Sequence, residues 1–171
     1  MVDKYELLCV VNEHDVPIKP RPRHVVFKKG LWRRTAHVWI INSKKKLLCQ
    51  QRSLKKDVSP GWWEPAVVGH IGHGDNYFSG AVREVNEETG LNISTNDLKL
   101  VKIYKDFDSH EFRAIFYCQL DIDHEHVTSE KDEVERIKFI NYKTVRKYIN
   151  QKPDSWFKII YLREIFSALT N

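Results

Sequence analysis

No stretch of this 171-residue chain approaches the ~20 consecutive apolar residues of a membrane-spanning helix, so no such helix is expected. Cysteine is scarce. Cys9, Cys49 and Cys118 are odd in number, far apart and set in apolar runs, which argues against a disulfide framework and for buried thiols in a reducing cytosol. The first ten residues carry Asp3, Lys4 and Glu6, so no secretory signal is read and a cytoplasmic location is expected. With only 7 glycines and 6 prolines there is no low-complexity tract, internal repeat or long linker. An RNA-recognition motif and a basic–aromatic repeat are also lacking, so nucleic acid is not the expected partner, although a basic chain does not exclude it.

What remains is an ordinary globular mixture, 42% apolar and 30% charged, long enough for one domain over residues 1–171, as a monomer or homodimer. The net charge of +5 suits an anionic small molecule or nucleic acid; solvated surface lysine is the bland explanation.

Along the chain, Tyr5–Val11 reads as a strand and Asn12–Asp15 as a turn. Pro17, Pro20 and Pro22 predict an extended connector that completes an N-terminal region 1–30. Thr35–Ile41 and Leu47–Gln51 predict a hairpin, Pro60-Gly61 a turn, and Trp62–Val68 a short apolar stretch. Leu98–Tyr104, Phe112–Leu120 and Ile137–Asn141 read as strands, Thr144–Ile149 as a helix. Pro153 can open a last helix over about 153–169, with Trp156, Phe157, Ile160, Tyr161, Ile165 and Leu169 on its apolar face. Strands, helix, strands, helix make an α+β sandwich rather than repeated βαβ units.

The clearest helix is Asn76–Thr89. Asn76 can cap its start and Gly90 its end, and Phe78, Ala81, Val82, Val85 and Thr89 form one apolar stripe. That stripe can dock on a sheet and leave an acidic face. Glu84, Glu87 and Glu88 stand at i, i+3 and i+4, so the other two lie within about 60° of Glu84 around the axis. Three crowded carboxylates repel; Arg83 offsets part of this, and a hard divalent cation would remove it. A solvated acidic face is the alternative.

The residues from Gly69 to Leu91 resemble the Nudix box, Gly-x5-Glu-x7-Arg-Glu-apolar-x-Glu-Glu-x-Gly-apolar, with Asp75 where glutamate is expected. The resemblance implies an α/β/α sandwich around a mixed sheet, with a loop-helix-loop metal site over 69–91. It implies Mg²⁺, or Mn²⁺, held by Glu84, Glu87 and Glu88 with help from the Gly69 carbonyl, and Arg83 orienting the carboxylates. The ion would neutralise diphosphate charge and activate water for attack on phosphorus.

Gly30-Leu-Trp-Arg-Arg-Thr-Ala-His-Val-Trp-Ile, Gln51-Arg-Ser, Pro60-Gly-Trp-Trp and Val68-Gly-His are similar to the isopentenyl-diphosphate-isomerase-like branch of that superfamily. The isomerases use a cysteine where Val68 stands and a histidine where Arg33 stands. The resemblance therefore implies a Mg²⁺-dependent hydrolase of a nucleoside diphosphate derivative or other small organic diphosphate. An isomerase, disfavoured by Val68 and Arg33, and a non-catalytic nucleotide- or RNA-binding protein are the alternatives. Arg52 and Lys56 stand where the branch holds a diphosphate. Glu111 is a candidate general base or further metal ligand, or else a strand-end carboxylate in solvent. His70 borders the box and could ligate metal, as could His37 and His73; a structural role is the plainer expectation for each. One of Trp62 and Trp63 is expected in the core, and the other could cover substrate.

Overall fold

The computed structural model describes residues 5–56, 59–65, 67–122, 124–129, 134–151, 155, 156, 165 and 167. In chain order its elements are β1 (Leu7–Leu8), β2 (Arg21–Pro22), α1 (Arg23–Lys29), β3 (Arg33–Ile41), β4 (Lys46–Arg52), β5 (Trp63–Pro65), β6 (Val67–His70), α2 (Tyr77–Thr89), β7 (Lys99–Asp106), β8 (Glu111–Gln119), β9 (Val134–Asn141) and α3 (Tyr142–Gln151).

The long strand β3 organises the sheet. It runs parallel to β8, pairing Arg33 with Glu111 and Thr35 with Arg113, and antiparallel to β6, pairing Thr35 with His70 and Ala36 with Gly69. β7 closes that side, antiparallel to β8. β4 meets β3 at Ile41 and Leu47, then lies between β5 and β9. The sheet is therefore mixed and spreads into two wings, with β5 on the β4 side and β6 on the β3 side.

Alternation along β3 and β8 builds a core on each face of the sheet. Ala36, Val38 and Ile40, with Ala114, Phe116 and Cys118, pack beneath α2 against Ala81 and Val85. Trp39, Ile41 and Ile115 face the other way and pack with Val145 of α3, Trp156 and Ile165. This is the α/β/α sandwich that the motif implied. The α2 stripe docks as expected: Ala81, Val85 and Thr89 are buried, and Phe78 meets Phe116 edge-on at 5.0 Å. All three cysteines are buried and free.

Two N-terminal expectations are corrected. The connector within 1–30 contains a helix, α1. Pro22 stands just ahead of that helix, where its missing N–H costs no intrahelical bond, so proline here starts a helix instead of preventing one. Gly30 ends it in the left-handed conformation (φ 58°), and Val26 anchors it in the core. The expected strand Tyr5–Val11 is broken up: Leu7 and Leu8 pair with β2, whereas Val10 and Val11 make isolated bridges to Arg33 and Pro17. The helix expected over about 153–169 falls largely outside the described residues. Among the described residues no helix is long and apolar enough to cross a membrane.

Candidate functional site

The site is assembled where α2 lies against β6. Asn76 caps the helix, its side chain accepting from the N–H groups of Phe78 (2.8 Å) and Ser79 (3.0 Å), while the Asn76 N–H donates to Ser79 Oγ at 3.0 Å. Ser79 Oγ in turn donates to Asp75 at 2.9 Å. The helix ends at Gly90, φ 68°. These caps set the angle at which the acidic residues meet the sheet. Approach there is close: a Cβ on Gly80 would sit 2.6 Å from Ile71, and a Cβ on Gly69 would overlap the Glu84 carboxylate.

Arg83 is the hub. Its Nε donates to Asp75 (3.2 Å), its Nη1 to Glu87 (2.7 Å), and its Nη2 to both Glu84 (2.8 Å) and the His70 carbonyl (2.9 Å). Burial opposes the Arg83 charge, but the carboxylates around it raise its pKa. Asp75 thus keeps contact with the helix in spite of its shorter side chain.

The three glutamates do not present one open acidic face. Glu84 is buried, and burial pushes its carboxyl up to about 7 against the pull of Arg83. Glu88 is turned inward. Its Oε2 is buried with no hydrogen-bond partner. Burial first, then the charges of Glu84 and Glu64, push its carboxyl well above the ordinary range, although the Val68 N–H and the Gln50 side chain bond to it. Glu87 is exposed and held by Arg83. The helix therefore brings Glu84 and Glu88 together and leaves Glu87 outside. Among the described residues no group of three or more His, Cys, Asp or Glu side chains is drawn together around one point. The buried pair still fits a cation: two like-charged carboxyls stand in a poorly solvated place, and an oxygen of one is unsatisfied.

Beyond Glu88 lies a polar group that the sequence reading did not single out. Gln50 on β4 and Glu64 on β5 are directly paired and buried, with Gln50 Nε2 3.2 Å from Glu64. Two polar residues inside apolar strand runs were the available signal. Arg52, the proposed phosphate ligand, bonds Glu64 at 3.2 Å, and the charge of Lys56 also acts on Glu64. Both candidates therefore flank the buried carboxylates.

Glu111 is not a strand-end carboxylate in solvent. It is buried and bonded by Arg33 Nη2 (2.7 Å) and Arg113 Nε (2.8 Å). Arg33 also donates to the Ser109 carbonyl (2.9 Å) and reaches His70. Both carboxylate oxygens of Glu111 are thus engaged by guanidinium groups. His70 borders the site as expected, and burial, then Arg23 and Arg33, hold its imidazole well below the ordinary range. His37 is half-buried in the sheet and pushed down to about 3, first by desolvation, and His73 is exposed. Trp63 stacks on Trp156 at 5.7 Å, which is a packing role, while Trp62 is half-buried.

The NUDIX domain family model matches residues 31–160 of the chain. Nudix hydrolase 3 of Arabidopsis thaliana is 29% identical over 147 residues, 80% of this chain, but the chain spans only 19% of that protein. An uncharacterised Nudix hydrolase of Clostridium acetobutylicum is 29% identical over 162 residues, covering 89% of this chain and 78% of the relative. Isopentenyl-diphosphate Delta-isomerase 2 of Photorhabdus laumondii is 29% identical over 165 residues, with 91% and 90% covered. A solved protein of Deinococcus radiodurans superposes with a TM-score of 0.72 at 19% identity, over 86% of this chain and 90% of that one.

Proposed function

The chain belongs to the NUDIX domain family, and from that premise we propose that it is a Mg²⁺-dependent hydrolase of a nucleoside diphosphate derivative or another small organic diphosphate. The observation that carries this reading is the buried carboxyl pair Glu84 and Glu88, with Glu88 Oε2 unpartnered. Glu84, Glu88 and the Gly69 carbonyl would hold the ion, with Glu87 joining once released by Arg83. A divalent cation there would supply charge neutralisation for the diphosphate and a more nucleophilic water. The chain's own residues do the rest. Arg83 holds Glu84 and Glu87 in register. Arg52 and Lys56, beside Glu64, would reach phosphate oxygens. Three buried thiols support a reducing compartment, the cytoplasm.

A second reading is isomerisation of a five-carbon diphosphate, favoured by the coverage of the Photorhabdus laumondii isomerase. Against it, Val68 donates its backbone N–H to Glu88 and has no titratable side chain, while allylic proton transfer needs a positioned acid and base. One experiment separates them: purified protein with Mg²⁺ is offered a panel of organic diphosphates that includes isopentenyl diphosphate. Release of phosphate or a monophosphate product supports hydrolysis. Conversion of isopentenyl diphosphate to its allylic isomer, lost in Glu84→Gln, would replace the hydrolase reading with the isomerase.

A further inference from the structure

His70 carries a hydrogen-bonding conflict. Its Nδ1 lies 3.0 Å from Arg23 Nη1, and its Nε2 lies 3.3 Å from Arg33 Nε. Guanidinium groups donate and never accept. A neutral imidazole offers one bare nitrogen and can accept from only one arginine; a protonated ring could accept from neither.

Arg33 is the fixed partner. It is buried and held by Glu111 at 2.7 Å and by the Ser109 carbonyl at 2.9 Å, which aims its Nε at His70 Nε2. That assigns the bare nitrogen to Nε2 and the proton to Nδ1. The Nδ1–H then points at Arg23, a second donor. Arg23 is loosely held: its side chain is 25% exposed and its contact with Glu6, at 3.5 Å, exceeds a good charge-assisted bond. Phe27 walls the spot, 48% exposed, with its ring 5.5 Å from His70 and 5.1 Å from the Arg23 guanidinium. Two donors thus converge beside an exposed ring, and among the described residues no acceptor is bonded by both.

We propose that the His70 Nδ1–H and the Arg23 guanidinium together bind an oxyanion of the substrate, a phosphate or carboxylate group beyond the diphosphate itself. This deepens the hydrolase reading and rests on it. The placement supports a group at the far end of the substrate. His70 is joined through its carbonyl to Arg83 and so to Glu84, whereas Arg52 and Lys56 stand at Glu64, on the Glu88 side. The two cationic sets flank the carboxyl pair, which suits a molecule charged at both ends. An oxyanion accepting from both donors resolves the conflict with charge-assisted bonds.

The test reads the His70 ring nitrogens by long-range 1H–15N NMR in the metal-free full chain, titrated with inorganic phosphate and, separately, with acetate. Before titration the Nδ1–H tautomer is expected. Phosphate or acetate should then move the Nδ1 signal saturably, and whichever does so identifies the group taken. Arg23→Gln should weaken that binding roughly tenfold, the loss of one charged hydrogen bond. Glu6→Gln, which removes the competing carboxylate and keeps both donors, should tighten it. An Nε2–H tautomer, or His70 signals that neither ion moves, would overturn the proposal. So would binding indifferent to both substitutions. No hydrolysis is read, so the subsite and the hydrolase reading fail separately.

Discussion

Gly69 on β6 and Glu84 on α2 occupy each other's space: the place a Cβ on Gly69 would take is already filled by the Glu84 carboxylate. A side chain at position 69 and a carboxylate buried at position 84 are therefore incompatible in this packing. Gly69→Ala should displace Glu84 and lower stability by about 1–3 kcal/mol through overpacking. Denaturant unfolding measures the loss. Diphosphate hydrolysis should fall with it, and an alanine variant of full stability and activity would show that the contact does not constrain Glu84.

The same burial has a pH signature. The Glu84 carboxyl is raised from its ordinary 4.5 to about 7, first by burial and then by Glu87 and Glu6, against Arg83; Glu88 shifts the same way. A raised carboxyl pKa means the folded state binds the proton more tightly than the unfolded chain. The stability this confers is whole below pH 4.5 and is lost as the pH rises through about 7. Metal-free protein should melt at progressively lower temperature from pH 5 to pH 8, and Glu84→Gln should flatten that slope. A slope unchanged by the substitution would place the titrating group elsewhere.

Divalent metal should reverse the loss, since it neutralises the same pair. Mg²⁺ or Mn²⁺ should raise the melting temperature in a concentration-dependent way. Glu88→Gln keeps size and helix propensity, removes a like charge, and should leave the metal-free protein as stable or more so, with a smaller metal-induced shift. Hydrolysis should drop by roughly two decades or more, because metal-assisted charge stabilisation contributes several kcal/mol and each 1.36 is tenfold. Full activity in this variant would remove α2 from the catalytic site.

Arg33 and Glu111 form a buried pair at 2.7 Å, with side chains 7% and 11% exposed. Arg33→Met leaves Glu111 with Arg113 alone and should cost about 3–5 kcal/mol. Adding Glu111→Met should recover much of that, because Arg113 keeps Asp106 at 2.7 Å and the apolar pair needs no counter-charge. A single variant as stable as the parent would mean that the pair adds no net stability.

Helix α2 was legible in the sequence because everything that makes it is local. The Asn76 cap, the Gly90 stop and the 3.6-residue stripe lie within fifteen positions, and the glycine-to-glutamate spacing needs no partner segment. The long strands were legible for the same reason, each as a local apolar, β-rich run. The fate of each charged residue was not. Arg33 meets Glu111 because β3 and β8 run parallel in one register, and Gln50 meets Glu64 because β4 and β5 pair antiparallel. Glu88 is turned in and Glu87 left out because the sheet covers one side of the helix while Arg83 draws Glu87 to the other. Helical spacing determined that three carboxylates share a face. Only the packing of that face against β6 decided which two lose their water, since desolvation depends on what the rest of the chain brings alongside.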